Sequence, residues 1–148
     1  MKRLLATYHS WALTGARLAL GVVMFGHGAQ KMLGWFGGSG FTGTMGFFTG
    51  QGIPAPFAFL AIAAEFFGSL GLIVGLLGRV AAFGIFCNML VAIFAVHLPN
   101  GFFMNWFGKQ AGEGYEYHLL AIGLAVAVMI GGSGAASIDR ALTDSMEP

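Results

Sequence analysis

A helix needs roughly 20 predominantly apolar residues to cross the hydrocarbon of a bilayer. Stretches of that length and character succeed one another along the chain at 10–30, 57–77, 80–98 and 117–135. They predict an all-α fold, a four-transmembrane-helix bundle built as one domain over 1–148. Only Gly78 and Arg79 separate the second stretch from the third, so these two helices are expected to be antiparallel neighbours. Residues 31–56 have a different texture: Gly34, Gly37, Gly38, Gly40, Gly43, Gly46, Gly50 and Gly52 alternate with Trp35, Phe36, Phe41, Phe47 and Phe48. Aromatic rings among glycines suit a segment lying in the headgroup layer or folding back over the bundle, because irregular backbone at membrane depth must be covered by protein. Ile53, Pro54, Ala55 and Pro56 close that segment and start the second helix.

Composition supports the membrane reading. Hydrophobic residues make up 57% of the 148 positions and charged residues only 9%, against about 25% charged in a soluble domain. The formal net charge of +1 is dispersed without any run of like charge, which excludes a nucleic-acid surface. The 25 glycines favour closely packed helices, and Gly71 and Gly75 have the spacing of a close-packing motif, with Gly68 and Gly78 extending the same side of the second helix. The opening Met1-Lys2-Arg3-Leu4-Leu5 resembles the charged head of a secretory signal, but Tyr8, His9 and Arg17 interrupt the apolar stretch and no small-x-small cleavage site follows, so it is expected to be retained. Basic residues near the span ends set the orientation. With both termini cytoplasmic, Lys2, Arg3, Arg79 and Arg140 lie inside and only Lys31 and Lys109 outside. Residues 31–56 and the aromatic run 102–107 then face outward.

Ionisable groups inside membrane spans are costly and each needs an interior partner or a wet cavity. Here they gather at the outward end. His27, Gln30 and Lys31 end the first helix, His97 ends the third, and Tyr115, Glu116, Tyr117 and His118 begin the fourth. Glu65 sits eight residues into the second helix, roughly 12 Å below its outer boundary at about 1.5 Å per residue. His27 and Lys31, spaced i and i+4, share a helix face, and Glu65, too deep to reach water, is expected either to be protonated or to pair with Lys31 or a histidine. The bland alternative is a polar clasp that only orders the bundle, and for His97 and His118 simple solvation at the interface. The histidines fall on different helices without a ligand-spacing motif, so no metal site is expected. Cys87, the sole cysteine, permits no internal disulfide and is expected to be inert near mid-membrane. Arg17 is expected to snorkel to the inner headgroups. Gly38-Ser39-Gly40-Phe41-Thr42-Gly43 fits G-x-G-x-x-G in letters but opens no βαβ unit, so it carries no dinucleotide site.

The stretch Arg17, Gly21, Phe25, His27-Gly28-Ala29-Gln30-Lys31 and Gly34-Trp35-Phe36-Gly37-Gly38-Ser39-Gly40 resembles the first-helix signature of the DoxX family. Ile53-Pro54-Ala55-Pro56, Glu65 with Gly68 and Gly71, Gly78-Arg79, His97, Asn100-Gly101-Phe102-Phe103, Glu116-Tyr117 and Ser137-Ile138-Asp139 follow in that family's order. The resemblance implies a four-helix protein of the bacterial inner membrane, associated with thiol or sulfur oxidation, quinone-linked oxidoreductases or oxidative-stress assemblies. The reading that unites it with the polar cluster is a membrane subunit of a redox system, binding a quinone or a small sulfur-containing reductant. Glu65 and His27 are the candidate catalytic residues, and His27, Gln30, Lys31, Glu65, His97 and Glu116 the candidate ligand-binding set. The bilayer and other membrane or redox subunits, or further copies of the chain, are the expected partners. The rival is a non-catalytic accessory subunit of a larger membrane complex; a transporter ranks third, for want of an inverted repeat.

Overall fold

The computed structural model describes residues 2–145; residue 1 and residues 146–148, the extreme ends expected to be cytoplasmic, lie outside them. The described chain is helical with no strand: α1 (Lys2–Leu5), α2 (Trp11–Leu33), α3 (Gly40–Gly50), α4 (Ala55–Val74), α5 (Gly78–Ala92), α6 (Glu116–Gly131) and α7 (Ile138–Asp144). α5 continues through a π turn, Ile93–His97, and a 3-10 turn, Leu98–Asn100.

Helices α2, α4, α5 and α6 form a ring in which each packs on the next. Their buried positions recur at spacings of three and four, which lays one stripe of each helix toward the axis. On α4 these are Ala58, Ile62, Glu65, Ser69 and Leu72, and on α6 His118, Ala121, Ala125, Val128 and Gly131. Leu20, Met24, Leu72, Ile85, Met89 and Val128 meet in the apolar centre. Gly28 sets how closely α2 and α4 cross. A Cβ there would stand 2.7 Å from Phe66 Cα and 2.8 Å from the Glu65 carbonyl carbon, so only glycine permits this approach.

α2, α4 and the continuous helix Gly78–Asn100 are long and apolar enough to cross a membrane. α6, with 16 residues, is apolar but shorter, because Gly132 turns the chain away at φ 82° where residues 117–135 were expected to be helical. The second helix likewise ends early. Gly75, at φ 72°, caps it in the left-handed region and returns its N–H to Gly71 O. This corrects the glycine face expected on that helix: Gly68 and Gly71 approach Ala81 of α5, but Gly75 is the cap and Gly78 begins the next helix. Between Lys31 and Pro56 the chain forms α3, which packs on α2 and α4. The α3 and α7 ends of the ring are therefore distinct.

At the α7 end Arg17 is only 2% exposed. It does not reach for headgroups as expected. Its guanidinium donates to Ser133 O (2.8 Å), Ile73 O (2.8 Å), Ala136 O (2.6 Å) and Leu72 O. The last carbonyls of a helix lack intrahelical partners and carry its negative dipole end, so a cation at Leu72 and Ile73 satisfies both needs of α4. Arg79 does the same for α6, donating to Ile130 O (2.8 Å) and Met129 O, and it also reaches Ala6 O (3.0 Å). Asp139, 1% exposed, accepts from Leu77 N (2.7 Å), Gly78 N (2.9 Å) and Ser133 Oγ (2.6 Å). It thereby caps the start of α5 and holds Leu77 at φ 51°, a conformation unusual for a residue with a side chain.

Candidate functional site

The α3 end holds a partly open cavity of about 780 Å³. Most of its wall is apolar, and its polar groups come from every helix of the ring: His27 and Lys31 from α2, Glu65 from α4, Asn88 and His97 from α5 and its extension, Tyr117 and His118 from α6. Glu65 lies on the buried stripe of α4, 7% exposed, where a leucine would otherwise be expected. The close crossing at Gly28 brings it beside α2, and Lys31 Nζ meets Glu65 Oε2 at 2.5 Å. His27, one turn before Lys31, faces the cavity and stands with its ring centre 5.8 Å from that of Tyr117.

The π turn positions His97. Leu98 N–H donates to Ile93 O, five residues back, so the helix carries one extra residue at the cavity wall; such insertions recur at functional sites. The His97 ring centre then lies 4.1 Å from that of His118. His97 Nδ1 is 2.8 Å from Glu113 O. A carbonyl can only accept, so Nδ1 carries the hydrogen, and in the neutral ring Nε2 is left as an acceptor.

Two atoms in this region stand out energetically. Tyr117 OH and His118 Nδ1 are buried without a hydrogen-bond partner, and His118 is 6% exposed rather than solvated at the interface. A buried polar atom left unpaired costs about 1–3 kcal/mol. Both belong to residues on the cavity wall, although the atoms themselves present almost no surface to it; a turn of either ring toward the cavity would let a molecule bearing hydrogen-bonding groups satisfy it.

The other two residues of the expected set lie elsewhere. Gln30 lines a neighbouring cleft of about 260 Å³ with Ser39 and Thr44, and its Nε2 donates to Phe36 O at 3.3 Å. Lys31, Phe47 and Phe48 line both cleft and cavity and form the partition between them. Glu116 is engaged by the loop 101–115, accepting from Met104 N (2.9 Å) and Trp106 Nε1 (3.3 Å). Glu113 of the same loop reaches the cavity instead. Among the described residues no three of His, Cys, Asp or Glu converge as a metal-ligand set.

The candidate set drawn from the sequence left out Asn88, Glu113, Tyr117 and His118, all of which line the cavity. Asn88 had a usable signal, being a lone amide within an apolar span; its Nδ2 donates to Ala61 O at 2.7 Å, across to α4. Tyr117 and His118 stood among the polar groups gathered at that end but outside the candidate set, and Glu113 had no signal, since its placement depends on the path of the loop. Cys87 also lines the cavity.

The family model described as DoxX matches residues 12–98, more than half of the chain. No curated protein and no solved structure matches it.

Proposed function

The chain belongs to the DoxX family, and from that premise we propose that it is a four-crossing membrane subunit of a redox system whose cavity holds a quinone headgroup or a small sulfur-containing reductant. The observation that supports this most is the Lys31–Glu65 ion pair on the cavity wall, with the unpartnered Tyr117 OH and His118 Nδ1 buried in residues of the same wall. A quinone carbonyl accepts hydrogen bonds and, on reduction, takes up a proton at each oxygen together with the electrons a partner supplies. His27, Lys31 and Tyr117 are placed to donate to such oxygens, and Glu65 to exchange protons through Lys31. His97 completes the rim through His118. Gln30 flanks the site from the cleft, and Glu116 orders the loop that covers it.

In this reading α6 is the fourth crossing, the Gly- and aromatic-rich segment around α3 lies at the outer interface, and both termini are cytoplasmic in a bacterial inner membrane. The four-to-two distribution of basic residues supports that orientation. In a Cys87→Ala background, cysteine at Ser39 should react with an impermeant reagent from outside and cysteine at Ser145 should not; the reverse would relocate the cavity to the cytoplasmic face.

The functional test is made on protein purified from its native membrane. Extraction should recover quinone from the wild type and much less from His27→Ala and Glu65→Gln, with the folded protein still present. Unchanged quinone content with lowered stability would leave a structural clasp. The accessory-subunit reading has one observation in its favour, the protruding loop whose Trp106 and Phe107 are 79% and 86% exposed. It predicts co-purification with a larger complex that is lost when both side chains are replaced by Ser.

A further inference from the structure

We propose that the ligand carries a hydrocarbon chain that leaves the cavity sideways into the bilayer through a mouth between α4 and α5, its polar head turned to Lys31, Glu65, Tyr117 and His118. The inference rests on the function proposed above and selects within it: the ligand is an amphipathic, tail-bearing molecule rather than a small water-soluble reductant.

Volume is the first argument. At about 780 Å³ the cavity lies within the roughly 300–1,000 Å³ of pockets that hold drug-sized ligands. A reductant of a few heavy atoms would leave most of it unfilled. The distribution of polarity is the second. The ionisable and hydroxyl groups come from the helix ends near α3 and the loop before α6 (His27, Lys31, His97, Glu113, Tyr117 and His118) and from Glu65, whereas Phe57, Leu60, Phe83 and Val91 line the cavity toward the α4–α5 seam. A molecule that satisfies both sides must itself be polar at one end and apolar at the other.

The third argument is that these seam residues are at once cavity wall and outer surface. Phe57, Leu60, Phe83 and Val91 are all exposed on the bundle, on helices long and apolar enough to cross a membrane. Side chains that touch both the cavity and the lipid form the rim of an opening. The seam is tight at Gly84, where a Cβ would stand 3.1 Å from Ala64 Cβ. One turn along α5 it is bridged by the Asn88–Ala61 hydrogen bond. Beyond that bridge Phe57 and Leu60 of α4, with Val91 of α5 and Ala95 of its π turn, make the two lips.

Cys87, the only thiol, lines the same cavity and reports on the mouth without any engineered label. The full chain in lipid nanodiscs is treated with an N-alkyl maleimide that partitions into the bilayer or with a sulfonated maleimide that does not, and adducts are read by intact mass. The lipophilic reagent should label Cys87 and the sulfonated one should not. A decyl-chain ubiquinone should slow the labelling more than duroquinone, a tailless ring; both are fully substituted and cannot themselves add to the thiol. Leu60→Trp, on an exposed lip where packing is undisturbed, should slow labelling further. Labelling by the sulfonated reagent overturns the sideways mouth and leaves the quinone reading standing. So does failure of the lipophilic reagent on protein that labels fully once unfolded, unchanged labelling of Leu60→Trp, or equal protection by the two quinones. Lipid-side labelling that neither quinone slows supports the mouth and overturns the quinone reading.

Discussion

Among the described residues, every buried polar side chain at the α7 end of the bundle has its partners, whereas at the α3 end Tyr117 OH and His118 Nδ1 have none. Both ends place charge inside an apolar protein. Arg17 and Asp139 are almost fully enclosed and between them satisfy the loose backbone groups of α4, α5 and the turn after α6. Lys31 and Glu65 satisfy only each other among side chains and face a cavity. Charges that close a hydrogen-bond account contribute to folding; charges that leave groups unmet beside open space raise the energy of the empty protein, and a ligand can lower it. The α7 end is thus a lock, and the α3 end is where a ligand would be held in the proposed function, although both ends use a basic and an acidic residue.

Substitutions can break that separation. The largest effect is expected at Arg17→Leu, which orphans four carbonyl contacts and leaves Asp139 without its nearby cation. A stability loss of about 3–5 kcal/mol is expected in a detergent or bicelle unfolding titration. Asp139→Ala should follow, at about 2–3 kcal/mol, since it uncaps Leu77 N and Gly78 N and frees Ser133 Oγ. Protein of either variant that survives purification should retain its ligand in proportion to its folded fraction. Ligand loss from fully folded Arg17 or Asp139 variants would erase the distinction between the two ends.

Substitutions at the other end sharpen it. Glu65→Gln should cost about 1–2 kcal/mol, because Glu65 is buried but Lys31 is partly exposed and the amide still accepts from it, yet extracted quinone should fall. A drop comparable to that of Arg17→Leu, with ligand retained, would make Glu65 part of a second lock. Tyr117→Phe should have the smallest effect on folding, within about 0.5 kcal/mol and of either sign, because the hydroxyl it removes has no partner to lose. Its quinone affinity should fall by up to about tenfold, the worth of one hydrogen bond, read by titration of the purified protein.

Much of this was legible along the chain. The apolar stretches lie close to α2, α4 and the helix Gly78–Asn100. The positions of His27, Lys31 and Glu65 pointed to their shared neighbourhood, because i, i+4 spacing and depth along a helix follow from helical geometry alone. The ends of helices were less legible. Gly75 and Gly132 stop α4 and α6 early by adopting positive φ, and nothing local distinguishes them from glycines such as Gly71 that stay helical.

Hydropathy and periodicity are properties of neighbouring residues, so the sequence by itself determined an all-helical, membrane-embedded DoxX chain with costly charges at its helix ends. Which charges meet was decided only by the tertiary structure. Arg17 is a lock and not a snorkelling cation because the ends of α4 and α6 converge on it with unmet carbonyls. Glu116 is drawn to the loop, Gln30 to the cleft, and Asn88, Tyr117 and His118 to the cavity by the rotation of each helix about its axis and by the π turn at Ile93–His97. Those rotations are set by long-range packing, above all the contact that Gly28 allows between α2 and α4, and no local pattern encodes them.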